Sequence, residues 1–535
     1  MSQFLHLVIL HLIWIEKSLM GWLKRILGQT QVIVFLGIVL LIWSGVPPRA
    51  IAQRLPPTPT QSIQPYLDRV IKNVTEFKLD NGMKFIVLER HEAPVVSFVT
   101  YADVGGVDEP DGKTGAAHFL EHLAFKGTSK IGTKDYAAEK EYLDRLDELF
   151  AELQQAKASN QTAEVERLEA EFERVESEAT QYVKQNEFGQ IVETAGGVGV
   201  NAATSTDYTI YFYSLPSNKL ELWMSLEAER FLDPVFREFY KEKQVILEER
   251  RLRTDNSPIG QTIEAFLDKA YQVHPYKRPV IGYDDDIRNL TRDDIQTFFE
   301  THYIPSKLTI AIVGDVNPAR VKTLAQTYFG AYPAKPEPSG VEAVEPPQQS
   351  TKEVTLRLDS QPWYLEGYHR PSIQSPDNAA YELMSALLSN GRTSRLYKSL
   401  VEGKQVALTA QGINGFPGDK YPNLMLFYAL SAPDRAIEEV AAALREELDR
   451  LKDEPVTEKE LDRVKTQARA SLLRTLDSNM GMAQLLAEYQ VKTGDWRSLF
   501  EQLDRIAAVA PSDIQRVAQQ TFTPENRTIG RILPK

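Results

Sequence analysis

Cysteine is absent from this 535-residue chain. That excludes disulfides, thiolate nucleophiles and Cys-based zinc sites, and it is compatible with either redox compartment. Histidine is scarce, eight in all, so each imidazole is informative. No basic patch with interleaved aromatics occurs and the formal net charge is −13, which argues against nucleic-acid binding. The acidity is confined: residues 135–188 hold fifteen Asp or Glu against six Lys or Arg. Elsewhere the chain is only mildly acidic, so net charge says little about a substrate. Long apolar runs are missing too, except near the N-terminus.

There, residues 32–46 read VIVFLGIVLLIWSGV, after Lys24 and Arg25 and before Ala50-Ile51-Ala52. A basic region, an apolar region and an Ala-x-Ala site are the parts of a secretory signal peptide. The run is short for a membrane span, which needs about 20 residues. The expectation is export to the periplasm or cell envelope, with a mature start at Gln53. The alternative is an uncleaved anchor, that is, membrane attachment through residues 32–46 with the rest of the chain outside the cytoplasm. A second apolar run precedes Met20, which is itself a plausible start. A Pro- and Thr-rich stretch follows the signal and reads as a linker over 53–69.

The remaining chain divides at residues 332–351, a Pro-, Glu- and Gly-rich stretch without core pattern. This predicts one domain over 70–331 and another over 352–535. Two apolar runs flank Asp80-Asn81-Gly82, a hairpin signal. Residues 202–215 (AATSTDYTIYFYSL) predict a strand. Within 135–188, Tyr142, Leu146, Leu149, Leu153 and Ala156 fall at heptad spacing. Val165, Leu168, Phe172, Val175, Ala179 and Tyr182 repeat that rhythm after Ser159-Asn160. The pattern predicts an inserted antiparallel helical hairpin. The second half weakly repeats the first: a strand, a helix, a Pro-Val pair (Pro234-Val235, Pro455-Val456) and a charged helix carrying Glu242 or Glu460. The expectation is a duplicated α+β unit whose second copy lacks the histidines.

The chemistry centres on His118-Phe119-Leu120-Glu121-His122. On a helix, positions i and i+4 share a face, so both imidazoles reach one Zn²⁺. Glu121 then stands beside the open coordination position, where it can take a proton from water. With eight His, chance gives this pattern in roughly one chain in a hundred. A catalytic zinc needs a third protein ligand. The segment 239–252 offers Glu242 and Glu249, seven apart on one face, and Glu248, about 100° away. Spacing alone does not choose among them. One acid could ligate and another support a ligand from behind. His274 sits in a polar turn and reads as structural, while His91, His302 and His369 lack ligand spacing. Gly196-Gly197-x-Gly199 is no phosphate loop, since no Lys-Ser or Lys-Thr pair follows.

Six blocks resemble, in order, the pitrilysin and insulin-degrading enzyme family of inverted-motif zinc peptidases. They are GGVDEPDGKTGAAHFLEHLAFKGT from Gly105, GGVGVNAATSTDYTIYF from Gly196, FYKEKQVILEERRLRTDN from Phe239, HPYKRPVIG from His274, IAIVGDV from Ile310 and NGRTSRLYKSLVE from Asn390. The chain is most similar to the short branch that includes mitochondrial processing peptidase and bacterial relatives, over about residues 70–535. The resemblance implies an α+β fold of two homologous domains, each an antiparallel sheet packed with helices, here carrying the inserted hairpin. It implies one Zn²⁺ per chain on His118, His122 and Glu249, with Glu121 as base and Glu242 as supporting acid. It also implies a substrate held as an added strand, with Asn201, Ala202, Ala203 and Thr204 on that edge. Two departures stand out. His122 and Glu249 lie farther apart in sequence than is usual in the family, and the hairpin accounts for the excess. The family's Arg and Tyr, seven apart in the second half or a partner, are replaced by Val401 and Leu408. The expectation is a related subunit supplying that pair. The functional expectation is a zinc endopeptidase acting on peptides or unfolded polypeptides; the alternative is a non-catalytic peptide-binding or processing-complex subunit.

Overall fold

Hydrophobic periodicity and turn residues resolve into two sheets of the same wiring. The computed structural model describes residues 64–535. The signal-like extension 1–52, including its run 32–46, and the first part of the linker lie outside the described residues. The first sheet contains β1 (Val74–Lys78), β2 (Lys84–Glu89), β3 (Val95–Ala102), β4 (Val198–Thr204), β5 (Thr209–Pro216) and β6 (Leu308–Gly314), in the order β1-β2-β6-β3-β5-β4. The second contains β7 (Lys352–Leu358), β8 (Trp363–Arg370), β9 (Ala407–Phe416), β10 (Asn423–Ser431) and β11 (Arg527–Pro534), ordered β7-β11-β8-β10-β9. Aligned by chain order, β2-β6-β3-β5-β4 and β7-β11-β8-β10-β9 are one topology. The duplication read from weak sequence similarity is therefore present in the strand connections, with β1 as an addition to the first copy.

The fold class is the expected pair of α+β units, with one refinement. Each sheet is mixed rather than purely antiparallel, because β2 pairs with β6 and β7 with β11 in parallel. The returning strand enters from the far end after a long helical excursion, so a parallel pairing is available to it. The single strand expected over 202–215 is two strands. Ser205 to Tyr208 form the turn, closed by Ser205 N–H donating to Tyr208 O, and the strand-forming residues on either side pair antiparallel as β4 and β5.

The halves exchange helices. Pro258–Ala270, from the first half, packs on β11 and β7; Asn479–Thr493, from the second, packs on β3 and β6. Glycine at positions 367 and 530 admits the Phe266 ring, since a Cβ at Gly367 would stand 2.8 Å from Phe266 Cζ. On the other sheet Met482, Ala483, Leu486 and Ala487 are fully buried. Both halves belong to one packed unit, Gln64–Lys535.

The insertion forms two helices, Tyr136–Ala158 and Thr162–Thr180. Lys157 pairs with Glu169 across the tip, and Tyr142 meets Tyr182 near the base, which makes the pair antiparallel. Leu146, Leu149, Leu153 and Ala156 are buried as the spacing predicted, and so are Leu168, Val175 and Ala179. They join the core of the first half rather than a separate one.

For residues 64–535 the expectation of membrane attachment is corrected. Among the described residues no helix is long and apolar enough to cross a membrane. The longest, Tyr136–Ala158, carries charged residues along its whole exposed face, and ionised side chains are not tolerated in hydrocarbon at that density.

Candidate metal centre

The histidine helix, Ala116–Leu123, follows β3 and a short loop. Its apolar residues Ala116, Ala117, Phe119, Leu120 and Leu123 are buried. The start is fixed twice. Gly115 has φ +89°, and a Cβ there would stand 2.7 Å from Ile281 O. Glu109 then accepts backbone bonds from Gly115 N (3.0 Å) and Ala117 N (2.9 Å), one on each carboxyl oxygen. Burial pushes Glu109 up to about 8, against those bonds and the Arg278 charge.

The glutamate helix, Phe239–Arg250, lies against it. Phe119 stacks on Phe239 with centroids 4.6 Å apart. This contact between neighbours of the functional residues sets the facing of the two helices. His118, His122 and Glu249 converge, one donor atom from each lying within 4.8 Å of the others. His118 Nε2 stands 3.7 Å from Glu249 Oε1, and His122 Nε2 stands 3.6 Å from Glu249 Oε2. These gaps are too long for hydrogen bonds. They match the spacing of donors around one tetrahedral zinc, roughly 3.4 Å for bonds of about 2.05 Å. The His118 imidazole is buried and its Nδ1 has no hydrogen-bond partner. Burial first, then the His122 and Arg253 charges, lowers it to about 3, so it stands neutral with a free lone pair. The residues present therefore fit a zinc ion.

Glu242 sits behind the cluster, with Oε2 3.4 Å from His122 Nδ1. Its other oxygen is held by Lys126, whose Nζ also reaches Glu238 at 3.1 Å. Burial opposes the charge on Glu242, but His122 and Lys126 hold its carboxyl below the ordinary range. For His122, burial likewise opposes protonation, and the carboxylates of Glu242, Glu249 and Glu121 outweigh it to raise the imidazole. Glu248, the open alternative in the sequence, faces solvent and pairs with Arg251 at 2.7 Å.

Glu121 accepts a hydrogen bond from Thr204 Oγ1, at the end of β4. Burial raises the Glu121 carboxyl above its usual range. β4 carries Asn201, Ala202, Ala203 and Thr204 and is the last strand of its sheet, paired only with β5 among the described strands. The edge and the His–Glu cluster are thus joined through Thr204 and Glu121.

Val401 lies in a π-turn, Tyr397–Gly403, and Leu408 is half-exposed on the edge strand β9. Of the nearby donors, Arg395 is bound to Glu460 at 3.1 Å and Arg392 to Tyr397 at 3.2 Å. Sequence reasoning missed Arg253, whose Nη1 is 2.7 Å from Glu249 Oε1. The i, i+4 spacing to Glu249 was the available signal. It also missed Thr204 as the partner of Glu121 and Lys126 as that of Glu242, pairs brought together only by packing.

Two family descriptions match. "Insulinase (Peptidase family M16)" covers residues 85–144 and 172–284. "Peptidase M16 inactive domain" covers residues 289–468. The first match is interrupted over the hairpin. The chain is 30% identical over 466 residues to the zinc protease PqqE of Helicobacter pylori, covering 85% of this chain and 92% of that protein. A solved protease structure from Helicobacter pylori superposes with a TM-score of 0.72 at 29% identity, covering 86% of this chain and 99% of that one. The periplasmic protease PqqL of Escherichia coli shares the fold, with a TM-score of 0.63 at 18% identity, covering 87% of this chain and 48% of that one.

Proposed function

We propose that this chain, which belongs to the insulinase family of M16 peptidases, is a zinc-dependent endopeptidase that cuts peptides or unfolded polypeptides bound along an edge strand. The observation carrying this reading is the convergence of His118, His122 and Glu249 at zinc-ligand spacing, with a carboxylate next to it. Those three residues would hold one Zn²⁺. Glu242 and Arg253 would orient His122 and Glu249. When bound, zinc supplies Lewis acidity, polarising the scissile carbonyl and making water more acidic.

The chain's own residues account for the proton traffic. Glu121, made more basic by burial and aligned by Thr204, takes a proton from the attacking water on a carboxyl oxygen. It returns that proton to the departing amide nitrogen. The free edge of β4 offers backbone groups to an extended substrate. A folded protein rarely presents such a segment, so the substrate class is flexible chain. Asn201, Ala202, Ala203 and Thr204 would place the scissile bond, because their strand ends at Glu121.

Export is supported by the basic, apolar and Ala-x-Ala order at residues 24–52 and by the name of the fold relative PqqL, a periplasmic protease. N-terminal sequencing should find Gln53 as the first residue. The enzymatic reading is tested by measuring bound metal in the purified chain and following cleavage of an unstructured peptide. One zinc per chain with chelator-sensitive cleavage supports it. A zinc-loaded chain that binds the peptide without cutting it favours the non-catalytic alternative.

A further inference from the structure

The inserted hairpin is a surface excursion in sequence but not in the fold. It interrupts the family match, yet its apolar stripe lies in the core that contains both ligand-bearing helices. Its connections to them are of three kinds. Phe150, on the first hairpin helix, and Phe172, on the second, each lie 5.0 Å from the Tyr240 ring, and Tyr240 OH donates to Asp147 at 2.8 Å. Tyr240 opens the glutamate helix next to Phe239, the residue stacked on Phe119 of the histidine helix. Glu139, at the hairpin's base, forms an ion pair with Arg237 in which both side chains are 0% exposed. Arg237 also donates to Thr128 O (2.6 Å) and Ile131 O (3.0 Å), and to Lys126 O, in the loop that leaves the histidine helix. Finally, Lys243 on the glutamate helix places Nζ 4.0 Å from the Phe150 ring centre while donating to Leu290 O at 2.6 Å.

We infer that the hairpin is a clamp that sets the spacing of the histidine and glutamate helices, and that Tyr240, gripped by Phe150 and Phe172, is its central positioning residue. The inference rests on the zinc reading above. None of the clamp residues is among the three that would hold the ion. Their effect is transmitted through two rigid contacts, Tyr240–Phe239–Phe119 and Glu139–Arg237–Lys126, the last residue also holding Glu242. Donors must converge within a few tenths of an ångström to bind zinc tightly. A hairpin grafted into the core between the two ligand sequences therefore becomes part of what the site requires.

The test is zinc affinity of the full chain by competition with a chromogenic chelator, with folding followed by circular dichroism. Tyr240→Leu should raise the zinc Kd about tenfold to a hundredfold, the range for residues supporting a ligand shell. Tyr240→Phe, which keeps the gripped ring, should restore most of the affinity. Arg167→Ala, on the hairpin's exposed face, should leave Kd unchanged. A folded Tyr240→Leu protein with wild-type Kd overturns the clamp, as does an equal loss in Arg167→Ala, which would show general loosening. If Tyr240→Leu does not fold, the gentler Phe172→Leu decides: a raised Kd supports the clamp and an unchanged one overturns it. A wild-type chain without zinc affinity overturns the zinc reading together with the inference, an outcome distinct from wild-type binding that the variants do not alter.

Discussion

Replacing Glu109 by glutamine should make the stability of the protein less dependent on pH, and the size of the effect follows from its surroundings. Glu109 is buried, and its two oxygens cap the histidine helix. Burial raises its carboxyl from 4.5 to about 8. A raised pKa means that the folded state binds the proton more tightly than the unfolded chain does. The stability contributed by this group is therefore complete below about pH 4.5 and is lost as pH rises through about 8. Between those limits the loss approaches the limiting slope for one proton, about 1.4 kcal/mol per pH unit, and amounts to roughly 2–3 kcal/mol from pH 5.5 to 7.5. The Glu109→Gln side chain is neutral throughout. Its amide nitrogen cannot accept the second backbone N–H, a loss that is the same at every pH, so the change with pH and not the absolute stability is the test. Urea unfolding of both proteins, metal-free, at pH 5.5, 6.5 and 7.5 measures the difference. The variant should gain on the wild type at each step. A difference constant across the range, or one moving the other way, would refute the argument that Glu109 is held neutral by burial.

Three further outcomes are expected. Glu121→Gln should retain zinc by metal analysis while peptide turnover falls about 10²–10⁴-fold, since it removes a general base and no ligand; full activity would exclude the proposed role. Glu242→Gln should weaken zinc binding about 10–100-fold in a chelator competition, because it loosens the hold on His122 Nδ1. Gly115→Ala should lower unfolding stability by about 1–3 kcal/mol, through its positive φ and the approach of Ile281 O, and a thermal or urea midpoint equal to wild type would show that the helix start tolerates a side chain.

Much of the site is written in local order. His118 and His122 share a face because a helix repeats every 3.6 residues, and Glu242 and Glu249 share one for the same reason. Those relations need no knowledge of the rest of the chain. The hairpin was legible too, since heptad spacing on both sides of Ser159-Asn160 leaves one way to bury two stripes. The division of residues 202–215 into two strands was not. Ser205, Thr206 and Asp207 form their turn through contacts outside the segment: Gly106 and Val107 donate to Ser205 O and Thr206 O. Asp207 accepts from Tyr276 OH and from Asp419 N, on the other half.

What the sequence by itself determined is therefore the two rigid pieces of the site, the duplicated α+β plan and the presence of an insertion. Which carboxylate meets the histidines was implied by the family resemblance but not by local spacing, and its physical cause lies in three dimensions. Glu248 and Glu249 differ by about 100° on their helix, and nothing local relates that angle to a histidine more than a hundred residues earlier. The stacking of Phe119 on Phe239 fixes the two helices face to face and turns Glu249 inward, while Glu248 pairs with Arg251 in solvent. The same is true of Thr204 at Glu121, Lys126 at Glu242 and the helices exchanged between sheets. Periodicity is a property of a single element, whereas the meeting of distant side chains depends on how separately formed elements bury their apolar faces against one another.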